Sequence, residues 1–243
     1  MIRYSDVCVE FDGQQVLHDI SFELEAGRHL AIVGGSGSGK TVLVSLLLGL
    51  HTPSSGEVSF KEEAISSKSS QEKTAMLDGF GVVFQSSALF DSLNILENVG
   101  IKFFENRTYP PQAIQEKVIQ ALSQVDLASD ILNKYPAELS GGMQKRVGIA
   151  RAILHQPEVL VCDEPSAGLD PVNAGKIDEL LSKWQAFEGR SSLIITHDME
   201  SVRQLADQVL MLKAGRLHFF GPKEAFLESI DPDIRAFLSR GRS

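Results

Sequence analysis

Apolar and polar side chains alternate at the start of the chain. In "DVCVEF" (6–11) and "HDISFEL" (18–24) every second position is apolar, the pattern of strands with one buried face. "HLAIVG" (29–34) is a short apolar strand ending in glycine, and a helix over 40–50 follows it directly. "EVSF" (57–60) and "FGVVFQ" (80–85) read as further strands. Between them lies "KEEAISSKSSQEK" (61–73), expected to be a solvated loop or a short exposed helix.

Past Gln85 the period changes from two to that of a helix. "PPQAIQEKVIQALSQVDL" (110–127) puts Ile114, Val118, Leu122 and Val125 on one face, with proline at its start. A second helix is predicted from Ser140 onward, in "LSGGMQKRVGIARAI" (139–153). Strands return in "EVLVCDE", "SSLIITHD", "QVLMLKAG" and "RLHFFG", and the helix between the first two buries Ile177, Leu180, Leu181 and Trp184. The expected fold is α/β: a mostly parallel sheet, an N-terminal antiparallel β region and an inserted α-helical subdomain. One domain is expected, with its core in 1–85 and 157–243 and the helical subdomain in 86–156. No internal repeat is present.

Composition adds exclusions. With 243 residues, 43% of them hydrophobic, the chain is long enough to bury a large core. Lysine plus arginine against aspartate plus glutamate gives 23 − 32 = −9, the wrong sign for binding nucleic acid through the overall field. The two cysteines, Cys8 and Cys162, sit in apolar strand surroundings, which argues against a disulfide framework and for a reducing compartment. The N-terminus lacks a signal-peptide core, and "VLVSLLLGL" (42–50) falls short of the roughly 20 apolar residues that span a bilayer. The chain itself is therefore expected to stay out of the membrane.

The candidate chemistry starts at "GGSGSGKT" (34–41), which fits G-x-x-x-x-G-K-[ST] through Gly34, Gly39, Lys40 and Thr41. Backbone N–H groups of Gly34, Gly35, Ser36, Gly37, Ser38 and Gly39 can crowd around phosphate oxygens, and a helix N-terminus adds positive potential. Lys40 can reach the β- and γ-phosphates, and the Thr41 hydroxyl can ligate Mg²⁺. The apolar strand "EVLVCDEP" ends in Asp163, a candidate Mg²⁺ ligand, and Glu164, a candidate base for the attacking water. His197 ends "SSLIITH" and can meet a γ-phosphate, while Gln85 can touch both metal and water. Phe11, before a turn-like "DG", can stack on a purine or pack in the core.

These motifs, with "LSGGM", "SAGLDP" and "THD", stand in the order and spacing of ATP-binding cassette (ABC) ATPases, and the resemblance covers essentially the whole chain. It implies a P-loop NTPase core that binds ATP and Mg²⁺ and works as a head-to-tail homodimer. The P-loop of one copy would face Ser140, Gly141 and Gly142 of the other, and Asp170 would couple the two sites. Ser140 can equally serve as a plain helix cap. Four stretches, "FQSSALFDSLNILENV", "LSGGMQKRVGIARAI", "THDMESV" and "DPDIRAFLSRG", resemble the Mla-type ATPases of bacterial phospholipid transport. That likeness implies an integral membrane permease, an MCE-domain protein, no nucleic acid, and a place on the cytoplasmic face of the inner membrane. An amino-acid importer, a lipoprotein-release system and a soluble ABC protein of translation or repair remain the alternatives. Leu89 and Phe90 are the expected permease contacts, with Leu93 and Ile95 shared between that surface and the subdomain core. Lys145, Arg146 and Arg151 are expected on a solvated helix face. Met143 stands where a glutamine would complete an S-x-x-Q capping box, and is expected to pack with Val147, Ala150 and Leu154.

Overall fold

A computed structural model describes residues 1–107 and 109–240. In chain order the elements begin β1 (Ile2–Phe11), β2 (Gln14–Leu24), β3 (His29–Gly34), α1 (Lys40–Leu47), β4 (Ser55–Phe60), β5 (Glu63–Ala64), α2 (Ser70–Leu77) and β6 (Phe80–Val83). Next come α3 (Ile95–Glu105), α4 (Pro111–Gln124), α5 (Gly141–Ile153), β7 (Val159–Asp163) and α6 (Pro171–Gln185). The chain closes with β8 (Ser191–Ile195), α7 (Met199–Leu205), β9 (Gln208–Lys213), β10 (Arg216–Pro222), α8 (Lys223–Leu227) and α9 (Pro232–Arg240). Two compact units result: Met1–Leu77 with the chain from Phe187 onward, and Asp78–Ala186.

In the first unit, β2, β1, β4 and β5 form an antiparallel sheet in that order, Ile2 pairing with both Leu24 and Phe60. The alternation seen in the sequence places Ile2, Tyr4, Val7, Val9, Ile20, Phe22 and Leu24 in the core. Tyr4 stacks on Phe22, centroids 4.5 Å apart, and its hydroxyl donates to the Leu43 carbonyl at 2.7 Å, fixing α1 to the sheet. Burial pushes the Tyr4 phenol above its ordinary pKa, so the group stays a neutral donor. Strands β8, β3 and β9 are mutually parallel neighbours in that order, with β10 antiparallel to β9. The segments following β3 and β8 therefore leave the sheet at one edge. On it, α7, α8 and α9 bury Met199, Val202, Phe226 and Ile234 against Ala31, Val33, Val209 and Met211.

Two boundaries differ from the sequence reading. The helix expected over 40–50 ends at Leu47. Gly49 takes φ +65°, and the N–H groups of Gly49 and Leu50 close onto the carbonyls of Leu46 and Ser45 at 3.0 and 2.9 Å. That is a left-handed glycine stop that satisfies the final carbonyls. The 61–73 segment is not wholly loop or helix: Lys61 and Glu62, at φ +53° and +69°, form a tight hairpin into β5, and only its end joins α2.

In the second unit β6 runs parallel to β7, Phe80 opposite Val159 and Val83 opposite Cys162. Helix α4 buries Ile114, Val118, Ala121 and Leu122 as the period demands, and α6 buries Ile177, Leu180, Leu181 and Trp184. Helix α3 opens with a reciprocal capping box: Asn94 accepts from Glu97 N–H and Glu97 from Asn94 N–H, each at 2.9 Å. Among the described residues no helix is long and apolar enough to cross a membrane. Gly241, at the end of the "DPDIRAFLSRG" stretch, lies outside the described residues.

Candidate nucleotide site

The phosphate-loop residues sit where β3 gives way to α1. Gly34 has φ +149°, and a Cβ there would lie 2.4 Å from the Leu212 carbonyl oxygen on β9. No other residue fits that close approach. Around Gly35 and Gly37 a Cβ would meet nothing within 4 Å, so the rim of the loop is open. Gly39 precedes α1 with no side-chain cap and no acidic residue in the first turn, which leaves the positive end of the helix dipole at the loop. Lys40 Nζ donates to the carbonyls of Gly34 and Gly35, both at 2.9 Å, which lays its ammonium along the loop. The Ser38 hydroxyl is buried and has no hydrogen-bond partner. Open glycines, a cation and an orphaned hydroxyl make a cradle suited to an anionic group with several acceptor oxygens.

His197 follows β8 at the same edge. Thr196 N–H bonds the Ile32 carbonyl on β3 at 3.3 Å, and the Thr196 hydroxyl accepts from Asp198 N–H at 3.0 Å. This turn leaves His197 exposed. Phe11 ends β1, is 38% exposed and sets its ring edge-on to His51, so it is not a core residue.

In the second unit Asp163 ends β7, Glu164 follows at φ +50°, and Gln85 lies two residues beyond β6. Because β6 and β7 are parallel, all three emerge at one end of the pair. Ser140 caps α5, its hydroxyl accepting from Met143 N–H at 3.3 Å; Gly141 is exposed beside it. Met143 is half-buried and Val147 and Ala150 are buried on the same face. Asp170 caps α6: Oδ1 accepts from the N–H groups of Val172 and Asn173, both at 3.1 Å, and Oδ2 from the Asn173 amide at 2.6 Å. Those bonds, the Asn173 amide first, hold its carboxyl below the usual range.

The basic group on α5 corrects the expectation of a solvated face. Lys145 is 7% exposed and donates to the Gln85 carbonyl. Arg151 donates to the Ser87 and Ala88 carbonyls at 2.8 and 2.7 Å, and Arg146 to the Asp126 carbonyl at 3.0 Å. Burial pulls the Lys145 ammonium below its ordinary pKa, and the Glu164 carboxylate partly offsets this. A helix face read as wet is a set of clamps, because unpaired loop carbonyls solvate cations as water does. Cys8 and Cys162 are free thiols; Cys162 is fully buried, which pushes its pKa up and removes it from chemistry.

Residues 17–167 match the family model described as ABC transporter. The chain belongs to the ABC transporter family, as an ATP-binding subunit with ATPase activity. It is 35% identical over 241 residues to the probable ribonucleotide transport ATP-binding protein mkl of Mycobacterium leprae, covering 99% of this chain and 69% of that one. It is 34% identical to the chloroplastic protein trigalactosyldiacylglycerol 3 of Arabidopsis thaliana, covering 98% and 73%. Identity to the sulfate/thiosulfate import ATP-binding protein CysA of Mesorhizobium japonicum is also 34%, covering 100% and 69%. Among solved structures, the dimeric post-hydrolysis ATP-binding cassette MJ0796 bound to ADP and Pi superposes with TM-score 0.83 at 27% identity, covering 92% of this chain and 99% of that one.

Proposed function

We propose that two copies of this chain close around two ATP molecules and drive a membrane permease that moves phospholipid or another hydrophobic molecule. The observation that carries the dimer is that a P-loop and a serine-capped, glycine-started helix each occur once in the chain. Backbone N–H groups over 34–39 and Lys40 bind the phosphates, and Phe11 supports the base. Ser140, Gly141 and Gly142 reach the nucleotide of the second copy, with Asp170 coupling the two sites. The open glycine rim and the orphaned Ser38 hydroxyl fit this role.

Thr41, Gln85 and Asp163 would hold Mg²⁺, an oxygen donor set suited to that hard cation. When bound, the ion neutralises charge building on the phosphates. Glu164 accepts the proton of the attacking water, His197 orients the γ-phosphate, and Lys40 stabilises the transition-state charge. Exposed Phe90 and half-buried Leu89 are the proposed permease contacts, on the cytoplasmic face of the membrane. Asn98, fully buried, bonds Phe90 through both its N–H and its carbonyl and so holds that loop in shape.

The four Mla-like stretches and the relative named for trigalactosyldiacylglycerol, a glycolipid, support a lipid cargo and an MCE-domain partner. Relatives named for ribonucleotide and sulfate transport favour a polar cargo instead. Purification with the membrane subunits, followed by organic extraction, decides between them. Stoichiometric lipid supports the proposal; recovery of sulfate, or of ribonucleotide beyond the two ATP sites, without lipid overturns the cargo assignment.

A further inference from the structure

We propose that Lys145 and Arg151 are positioning residues that lock the loop over 85–88 to α5, so that Gln85 and the N-terminus of that helix keep one geometry through turnover. This rests on the catalytic roles given above to Gln85 and Glu164, and adds the groups that hold the Gln85 loop.

Residues 145, 148 and 151 are spaced i, i+3, i+6 and share one face of α5. Lys145 takes the Gln85 carbonyl, and the two arms of Arg151 take those of Ser87 and Ala88. Between them stands Gly148, against which Ser87 lies: a Cβ at 148 would be 3.4 to 3.6 Å from its carbonyl oxygen, Cβ and Cα. Ser87 is 3% exposed, so this is a packed joint.

The loop needs such a joint. Ser87 and Ala88 sit at φ +61° and +45°, left-handed conformations that are unfavourable for residues other than glycine. β6 has ended at Val83, so no strand ladder holds these carbonyls. Burying a cation is unfavourable unless it finds acceptors, and here Lys145 gives one bond and Arg151 two to the loop carbonyls. One ammonium thus ties α5 to the Gln85 loop.

The test is steady-state ATP hydrolysis by the full chain carrying Lys145→Met, Lys145→Gln or Arg151→Lys, with Glu164→Gln in parallel. Lys145→Met removes the donor, and its kcat is expected to fall roughly ten- to hundredfold, the scale of a misplaced reacting group, while KM for ATP changes less than about twofold. Lys145→Gln restores a neutral donor to the Gln85 carbonyl and recovers most of the rate. Should Lys145→Met fail to fold, Arg151→Lys carries the test: it keeps the charge but loses the two-armed reach and must show the same kcat-selective loss. Wild-type kcat in a folded Lys145→Met protein, or a Lys145→Gln protein as slow as Lys145→Met, overturns the proposal. If Glu164→Gln abolishes turnover while Lys145→Met does not, only this proposal fails. Full turnover in Glu164→Gln removes the catalytic reading beneath it as well.

Discussion

At the scale of single residues, Lys40 is the plainest case of a side chain whose place states its work. Its ammonium rests on the Gly34 and Gly35 carbonyls, within the loop that would receive phosphate. Lys40→Ala is expected to lower ATP turnover by about 10²- to 10³-fold, as when a donor aimed at developing transition-state charge is removed. A phosphate-release assay checks it; near-normal hydrolysis contradicts the role. Lys40 and Gly34 were legible in the sequence because a fixed motif between an apolar strand and an apolar helix admits few other readings. Lys145 was not. Charged side chains on an amphipathic helix ordinarily face water, and the carbonyl that solvates Lys145 belongs to Gln85, sixty positions earlier in the chain.

Among elements, α5 shows how a cap and a ligand surface coexist. Ser140 bonds Met143 N–H, and Met143 cannot return the bond to Ser140 N–H as a glutamine would. Ser140→Ala should cost about 1 kcal/mol of stability, read from denaturant unfolding, and should also weaken ATP-driven association. Met143→Gln should raise stability by about 0.3–1.5 kcal/mol with little change in turnover. A large change of hydrolysis in a stably folded Met143→Gln protein would count against confining nucleotide contact to Ser140 and the glycine N–H groups. Element types were readable from periodicity: α4 buries Ile114, Val118 and Leu122 of its stripe, with Val125 buried just past its end, and α6 buries the residues its stripe nominated. Ends were harder, since the stop of α1 depends on Gly49 adopting a left-handed turn inside an apolar run. The hairpin at Lys61 and Glu62 carries no glycine or asparagine to announce it.

For the whole molecule, the family follows from the order of the motifs and agrees with a TM-score of 0.83 to a solved ABC cassette. Cargo does not follow, because an ATPase subunit does not touch what its permease carries. The proposed permease surface gives a test that leaves the nucleotide residues alone. Phe90→Asp replaces a 52% exposed residue and should abolish co-purification with membrane subunits while leaving nucleotide binding unchanged. Retained co-purification would move the contact surface elsewhere.

In the proposed cycle ATP joins two copies of the chain, and Glu164 then lets them part by hydrolysis. Glu164→Gln keeps the shape of the side chain and removes its capacity as a base. Size-exclusion chromatography with light scattering, run with and without ATP and Mg²⁺, reads the outcome directly. The Glu164→Gln protein is expected to be a monomer without nucleotide and a stable dimer with it, and to have lost hydrolysis. A protein that stays monomeric in ATP and Mg²⁺ and hydrolyses at the wild-type rate would contradict that cycle.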